Sequence, residues 1–450
     1  MTIRTRDLDP NFWREVAAEM EGEAISRCFA CGTCTAGCPV REIESRYNPR
    51  RIIRMVLLGM REEVLNSDFI WLCSTCYTCY DRCPQGVRLT DVMTALKNIA
   101  VREGHVHPSF REQARLVLAH GRLYEVEDFD NRKREKMGLP PVRKAIEEVR
   151  EVVDDPRAGG GGGGMRYAPF LGCTIPVRGQ NYEIAARAVA GRLGIEFVDL
   201  EPFSCCGYPV KSTSAESALG MAARNLAVAA GEGLDICTLC SACTGVLTEA
   251  ARELERHPEA LERVNERLKE VDREYRPGVR VRHFSRVLYE DVGLEAIREG
   301  VIRDLGTLRF SVHYGCHYLR PREIYDGFDD PETPRTLDEL VEAAGATAVD
   351  YEGKLDCCGG ALLGVEEEVA LRMAKAKLDH VTANEVDGLI TICPFCTVMY
   401  EDNQRKIEQA FEVEYGLPVL YYPQLLGLAY GIGPKELGFR LNKVRPKALL

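Results

Sequence analysis

Apolar positions change their rhythm along this chain. Between residues 49 and 65 the run PRRIIRMVLLGMREEVL sets Ile53, Val56, Leu57, Met60 and Val64 on one helical face, which predicts a single core helix. Behind residue 164 short apolar runs alternate with longer amphipathic ones. Residues 167–171 and 195–200 read as strands, 182–193 and 215–231 as helices, and 234–239 as a further short apolar stretch. The order then returns, with strands expected at 308–314, 347–351 and 389–392. Strands alternating with helices make parallel, right-handed α/β sheets. The expected fold class is therefore α+β overall, a helical front followed by two tandem α/β units with parallel sheets.

Six consecutive glycines at 159–164 mark the clearest boundary, since such a run carries too much backbone entropy to hold a packed element. The charge-rich stretch 122–158 before it reads as helix and linker. The expected domains are 1–120, a linker at 121–164, 165–300 and 301–450.

Composition narrows the function. The chain has 450 residues, enough for about three domains, and is 45 % hydrophobic and 28 % charged, as soluble globular proteins are. A net charge of −11 without a basic block disfavours a nucleic-acid partner. No run of about 18 apolar residues is available to span a membrane. The start, MTIRTRDLDPNFWREV, lacks the apolar core of a signal peptide, so the cytoplasm is expected, and an oxygen-poor one.

The chemistry lies in 19 cysteines. Disulfide frameworks belong to short secreted chains, which leaves metal ligation. Cys28, Cys31, Cys34, Cys38-Pro39 and Cys73, Cys76, Cys79, Cys83-Pro84 have the spacing of a two-cluster ferredoxin, in which the cysteine before proline crosses to the other cube. The expected sets are Cys28, Cys31, Cys34, Cys83 and Cys73, Cys76, Cys79, Cys38, holding two cubane [4Fe-4S] clusters. A zinc ribbon would show two CxxC pairs without the third cysteine in each run.

The other cysteines form an internal repeat. Cys173, Cys205-Cys206-Gly207 and Cys240/Cys243 recur as Cys316, Cys357-Cys358-Gly359 and Cys393/Cys396, with gaps of 31 and 33 residues in one copy and 40 and 34 in the other. Each group falls just past an expected strand's carboxyl end, where open α/β sheets bind ligands. Five thiolates per copy exceed what a cubane needs, so either one is idle or the cluster is not an ordinary cube. Ligation by adjacent cysteines requires a tight turn, which Gly207 and Gly359 permit. A vicinal disulfide is the alternative, disfavoured by strain and compartment. Cys237 reads as a small buried apolar residue, because Cys240/Cys243 matches the other copy's register better than Cys237/Cys240. His313 and His317 flank Cys316 as substrate groups, supporting groups or core histidines.

These motifs resemble a family. CFACGTCTAGCPV, RYNPRRIIRMVLLGMREEVL and WLCSTCYTCYDRCPQGV resemble the C subunit of heterodisulfide reductase, and SCCGYP, TLCSACTGVL, HYGCHYLRP, DCCGG and CPFC resemble its B subunit. The chain looks like a C-B fusion. The resemblance implies two non-cubane [4Fe-4S] clusters on the CCG motifs, facing each other across a substrate cleft. One would use Cys173, Cys205, Cys206, Cys240 and Cys243, the other Cys316, Cys357, Cys358, Cys393 and Cys396. It further implies an enzyme reducing the disulfide of coenzyme M and coenzyme B, as in methanogenesis, or a related disulfide.

No flavin or dinucleotide fingerprint occurs, GRLGIEF near Gly191 lacking the required glycines, so the electron donor must be another protein. The resemblance implies the family's flavin-containing A subunit, with a hydrogenase or formate dehydrogenase behind it, and a membrane cytochrome as the alternative. Similar CCG domains in glycolate, lactate and glycerol-phosphate dehydrogenases only relay electrons. A scaffold that bridges partner enzymes is a third reading. An opening between the two CCG sites separates these readings, because only a reductase must admit a disulfide.

Overall fold

The alternation behind residue 164 resolves into two sheets of the same strand order in the computed structural model, which describes residues 8–19, 23–146, 157–158, 165–446 and 449. A two-residue pairing of β1 (Arg157–Ala158) with β5 (Arg273–Glu274) stands apart from both. The first sheet holds β2 (Arg166–Phe170), β3 (Glu196–Phe197), β4 (Asp235–Thr238) and β6 (Val281–His283), in the order β3-β2-β4-β6. The second repeats it with β7 (Arg309–His313), β8 (Thr347–Ala348), β9 (Gly388–Thr391) and β10 (Val419–Tyr421), in the order β8-β7-β9-β10. All pairings are parallel. The leading strands β2 and β7 are buried from their second residue onward, as strands covered by helices on both faces must be.

Three strands per copy lie within a few residues of their expected places. The fourth in each, β6 and β10, is only three residues long and gives no usable period. The expected single helix over 49–65 is corrected to two, Pro49–Leu57 and Arg61–Leu65. They part at Gly59, whose φ of +74° suits glycine and where a Cβ would lie 2.2 Å from the Asp9 carbonyl oxygen. The apolar face survives the break, with Ile53, Val56 and Val64 fully buried.

In the front region these helices pack with Phe12–Ala18 and Leu89–Arg102. The charge-rich stretch contributes helix Asp128–Lys136, pinned to the first copy by a buried ion pair, Arg134 Nη1 to Glu183 Oε2 at 2.6 Å. The glycine run 159–164 lies outside the described residues. The first and second copies face one another through a core that includes Tyr182 and Tyr421, whose rings stack 4.1 Å apart. Among the described residues no helix is long and apolar enough to cross a membrane.

Candidate metal centres

Parallel strands bring every repeat cysteine to one edge. Cys173 and Cys316 follow the ends of β2 and β7 by three residues. Cys240 and Cys393 follow β4 and β9 and cap the helices Ser241–Arg256 and Pro394–Thr397, with Cys243 and Cys396 in their first turns. A thiolate there faces unpaired backbone N–H groups and the positive helix end. The vicinal pairs turn as expected, Gly207 and Gly359 having φ of +96° and +78°. A Cβ on either would come within 3 Å of a helix carbonyl, Ala218 O or Ala370 O, so the turn is pressed against the helix behind it.

The ten thiols form one row. Sulfur contacts run from Cys173 to Cys205, Cys206, Cys243 and Cys240, cross to Cys393, and continue through Cys396, Cys358 and Cys357 to Cys316. The row is mirror-symmetric, each residue matching its counterpart in the other copy. All 19 cysteines are free thiols. Cys237 lies in the middle of β4, fully buried and outside the row.

So many adjacent sulfurs cannot all ionise. Thiol donors on both sides hold Cys206 down to about 5 and pull Cys357 and Cys393 down likewise. Neighbouring sulfurs and burial together push Cys243 and Cys396 up. A buried set of this size calls for several compensating positive charges, as a polynuclear iron-sulfur group carries and a single ion does not. Among the described residues no group of His, Cys, Asp or Glu closes on one point to hold a single ion. The donor chemistry thus fits such a group. A small slot of about 20 Å³ lies against all five of the first copy's cysteines.

The front cysteines fall into two sets. Cys34 is pushed up by burial and by Cys28, Cys31 and Cys83 beside it. Cys79 is pushed up by burial and by Cys76, Cys73 and Cys38. The crossing of Cys38 and Cys83 is thereby present in space. The second set abuts the second copy: burial and then the charge of Cys357 raise Cys76, and the Ser74 side chain hydrogen-bonds Cys357.

A buried cation stands behind each copy. Arg122 donates to Gly172 O at 2.7 Å and Phe203 O at 2.8 Å, on the loops carrying Cys173 and Cys205. Lys377, lowered to about 8 by burial, donates to Gly353 O and to Lys354 O. His313 Nε2 lies 3.2 Å from Cys396 Sγ, and His317 Nδ1 3.2 Å from Cys316 Sγ. Burial lowers both histidines, His313 to about 3.

A cavity of about 530 Å³ opens where front, first copy and second copy meet. Tyr208-Pro209 after the first CCG turn, Gly360 after the second, His317 and Phe395 line it, together with Cys73, Tyr77 and Lys97 of the front. His317 is held edge-on between Tyr77 and Tyr208, ring centroids 5.6 and 5.4 Å away. Lys211 also lines it, paired with Glu249 at 2.6 Å and 3.3 Å from Tyr77 Oη. Tyr77, Lys97, Tyr208, Lys211 and Glu249 carry no signal in the sequence pattern. A signal existed only for the threonine pairs Thr238–Thr244 and Thr391–Thr397, bonded at 2.5 and 2.8 Å, which flank the CxxC groups identically in TLCSACT and TICPFCT.

Comparison with known proteins agrees with this layout. A family model described as a cysteine-rich domain matches residues 167–248 and 310–401, and one described as a 4Fe-4S dicluster domain matches 24–87. The B subunit of the ferredoxin:CoB-CoM heterodisulfide reductase of Methanosarcina mazei is 38% identical over 281 residues, 61% of this chain and 93% of that one. The iron-sulfur C subunit of the CoB–CoM heterodisulfide reductase of Methanopyrus kandleri is 37% identical over 165 residues, 34% of this chain and 85% of that one. The membrane anchor subunit of the 8-methylmenaquinol:fumarate reductase of Wolinella succinogenes is 33% identical over 282 residues, 62% and 96% of the two chains. A solved structure of a hypothetical protein from Helicobacter pylori superposes with a TM-score of 0.64 over 90% of this chain and 73% of that one. At 15% identity it shows a shared fold.

Proposed function

The chain belongs to the heterodisulfide reductase family, joining a front of the C-subunit type to a back of the B-subunit type, and from that premise we propose that it is the disulfide-reducing part of an oxidoreductase complex. Residues 1–120 would relay electrons, 121–164 would link, and 165–300 and 301–450 would form the reducing pair. Two cubane [4Fe-4S] clusters would rest on Cys28, Cys31, Cys34, Cys83 and on Cys73, Cys76, Cys79, Cys38. Two non-cubane clusters would rest on the five cysteines of each repeat.

The cavity carries this reading. It touches the residues that follow both CCG turns, Tyr208-Pro209 and Gly360, together with Cys73 of the second front set, so a disulfide held there would lie beside both repeats, which a simple relay does not need. When bound, the clusters would supply two single electrons, which with two protons would convert one disulfide to two thiols. The chain's own side chains supply the rest. Tyr77, Tyr208, His317 and Phe395 give an apolar, water-excluding wall for the disulfide, and Lys211 with Glu249 gives an ionisable pair able to pass protons into it. The substrate would be the coenzyme M–coenzyme B disulfide or a related one. The donor would be the family's flavin-containing A subunit, with a membrane cytochrome as the second choice, in the cytoplasm. The similarity to a fumarate reductase anchor subunit favours one other reading, a relay between a quinol and a partner enzyme.

The test is to load the chain anaerobically and measure iron and disulfide reduction on Cys206→Ala and Cys358→Ala. Four clusters correspond to about 16 irons per chain. Each variant should lose about a quarter of its iron and nearly all reductase activity. Near-normal activity in either would remove the two-site mechanism in favour of a relay.

A further inference from the structure

The front set at the far end from the cavity lies at the surface. Cys31 is exposed, and Phe29, between it and Cys28, is 60% exposed, whereas Cys73 and Cys76 of the other set are buried. Around this end the charge reverses. Residues 27–54 carry six arginines against two glutamates, in a chain of net charge −11. Arg27 closes the turn Glu23–Arg27, and Arg50, Arg51 and Arg54 project from helix Pro49–Leu57, which packs on that turn and on helix Thr33–Ala36 beside Cys31. Arg50 lies over the cysteine loop itself, its Nη1 3.3 Å from where a Cβ on Gly32 would be.

These four arginines are exposed and have no ion-pair partner among the described residues. Elsewhere in the front most arginines are paired, Arg61 with Glu15 and Glu103, Arg82 with Glu332, Arg102 with Glu19, so that of the six exposed arginines without an ion pair among the described front residues, four lie here and only Arg14 and Arg111 lie elsewhere. Unpaired positive charge is thus concentrated around the exposed thiols. An exposed aromatic ring at the same end as a group of unpaired cations is the make-up of a protein-docking patch, with the cations setting encounter rate and orientation.

We propose that this face docks an electron-carrier protein whose own contact face is acidic, a donor additional to the A-type subunit, with Phe29 at the centre and Arg27, Arg50, Arg51 and Arg54 as the collar. Each docking passes one electron, the carrier being oxidised and the front set reduced by one, so two dockings serve one disulfide. The inference rests on the reading of Cys28, Cys31, Cys34 and Cys83 as iron ligands. A lipid surface fits less well, because it would cover the thiols without supplying an electron.

The experiment uses the anaerobically loaded full chain with a small acidic [2Fe-2S] ferredoxin as probe. Its reduction of the chain should slow at least about tenfold between roughly 20 and 300 mM salt. Arg51→Glu/Arg54→Glu should cost a similar factor at low salt and weaken binding of the oxidised probe in parallel, while Arg51→Lys/Arg54→Lys restores both. Reduction by a small neutral reductant should be unchanged in every variant. Salt-independent reduction in an iron-loaded chain overturns the docking site alone. So does charge reversal that abolishes binding to phosphatidylglycerol vesicles, or self-association, while leaving the probe unaffected. Absence of iron from the front set, measured first, overturns the ligand reading and the docking site together.

Discussion

Cys240 and Cys393, 153 residues apart, meet sulfur to sulfur at 3.9 Å. Each caps the helix that follows the third strand of its copy, so the contact is the point where the two halves of the repeat join. Everything on one side of it has a counterpart on the other, out to Cys173 and Cys316. Under the proposed reading, two sets of five sulfurs brought edge to edge would hold two redox sites side by side. A two-electron reduction delivered one electron at a time needs such a pair.

Cys76 tests the separation of wiring from chemistry. It belongs to the buried front set that touches Cys357. Cys76→Ala should remove reduction by the physiological donor while leaving a substantial part of the activity driven by a small artificial reductant. Iron analysis and circular dichroism establish that the rest of the chain is intact. Equal and complete loss with both reductants would contradict the division.

Arg134 tests how the linker helix is held. Its guanidinium makes two bonds to Glu183, at 2.6 and 2.9 Å, and both side chains are almost wholly buried. Removing Arg134 leaves the buried Glu183 with Arg187 alone, at 3.0 Å, so Arg134→Ala should cost up to about 3 kcal/mol. Arg134→Met with Glu183→Leu should recover much of it. Thermal unfolding measures both, and iron content should stay unchanged because neither residue touches the cysteine row.

Legibility in the sequence followed range. The cysteine groups were readable because two copies carry the same spacing, and their convergence followed from parallel strands that share one carboxyl edge. The break at Gly59 was not, since it depends on the Asp9 backbone crossing close by, a contact between segments 50 residues apart. The cavity was out of reach for the same reason. Lys97, Tyr208 and Phe395 come from three regions whose meeting no local period encodes. The TLCSACT and TICPFCT threonines were legible in principle, as flanks of a repeat already in view.

Glu401 sets a pH dependence. Buried in the second copy, it accepts from Lys443 N–H at 2.9 Å, and burial raises its carboxyl from the ordinary 4.5 to about 8. A carboxyl raised on folding contributes stability that is full below the unfolded value and is lost as pH rises through the folded one. From pH 6 to pH 8 the chain should therefore lose about 2 to 3 kcal/mol through this group. Glu401→Gln keeps the acceptor and cannot ionise. Its melting temperature should fall less steeply than the parent's over that interval, the remaining slope coming from groups such as Asp91, raised by burial to about 7, and a slope equal to that of the parent would assign the effect elsewhere.

The two copies are alike in their cysteines and unlike in their position. Both copies touch the front, the first through Tyr208 on Thr75 and Lys211 on Tyr77, but it is a cysteine of the second that a front residue bonds: Ser74 bonds Cys357, and Cys76 raises Cys316 by charge. Along the sulfur row the first copy's cysteines meet the second copy's at the Cys240–Cys393 contact. If electrons follow the shortest sulfur-to-sulfur route, the copies are wired in series, second before first. Cys357→Ala should then leave the first copy's iron unreduced by the physiological donor. Cys205→Ala should leave the second copy reducible at the parent rate. Rapid freezing after donor mixing, followed by electron paramagnetic resonance on each variant, reads the two sites separately. Normal reduction of the first copy in Cys357→Ala would show that the front feeds both in parallel.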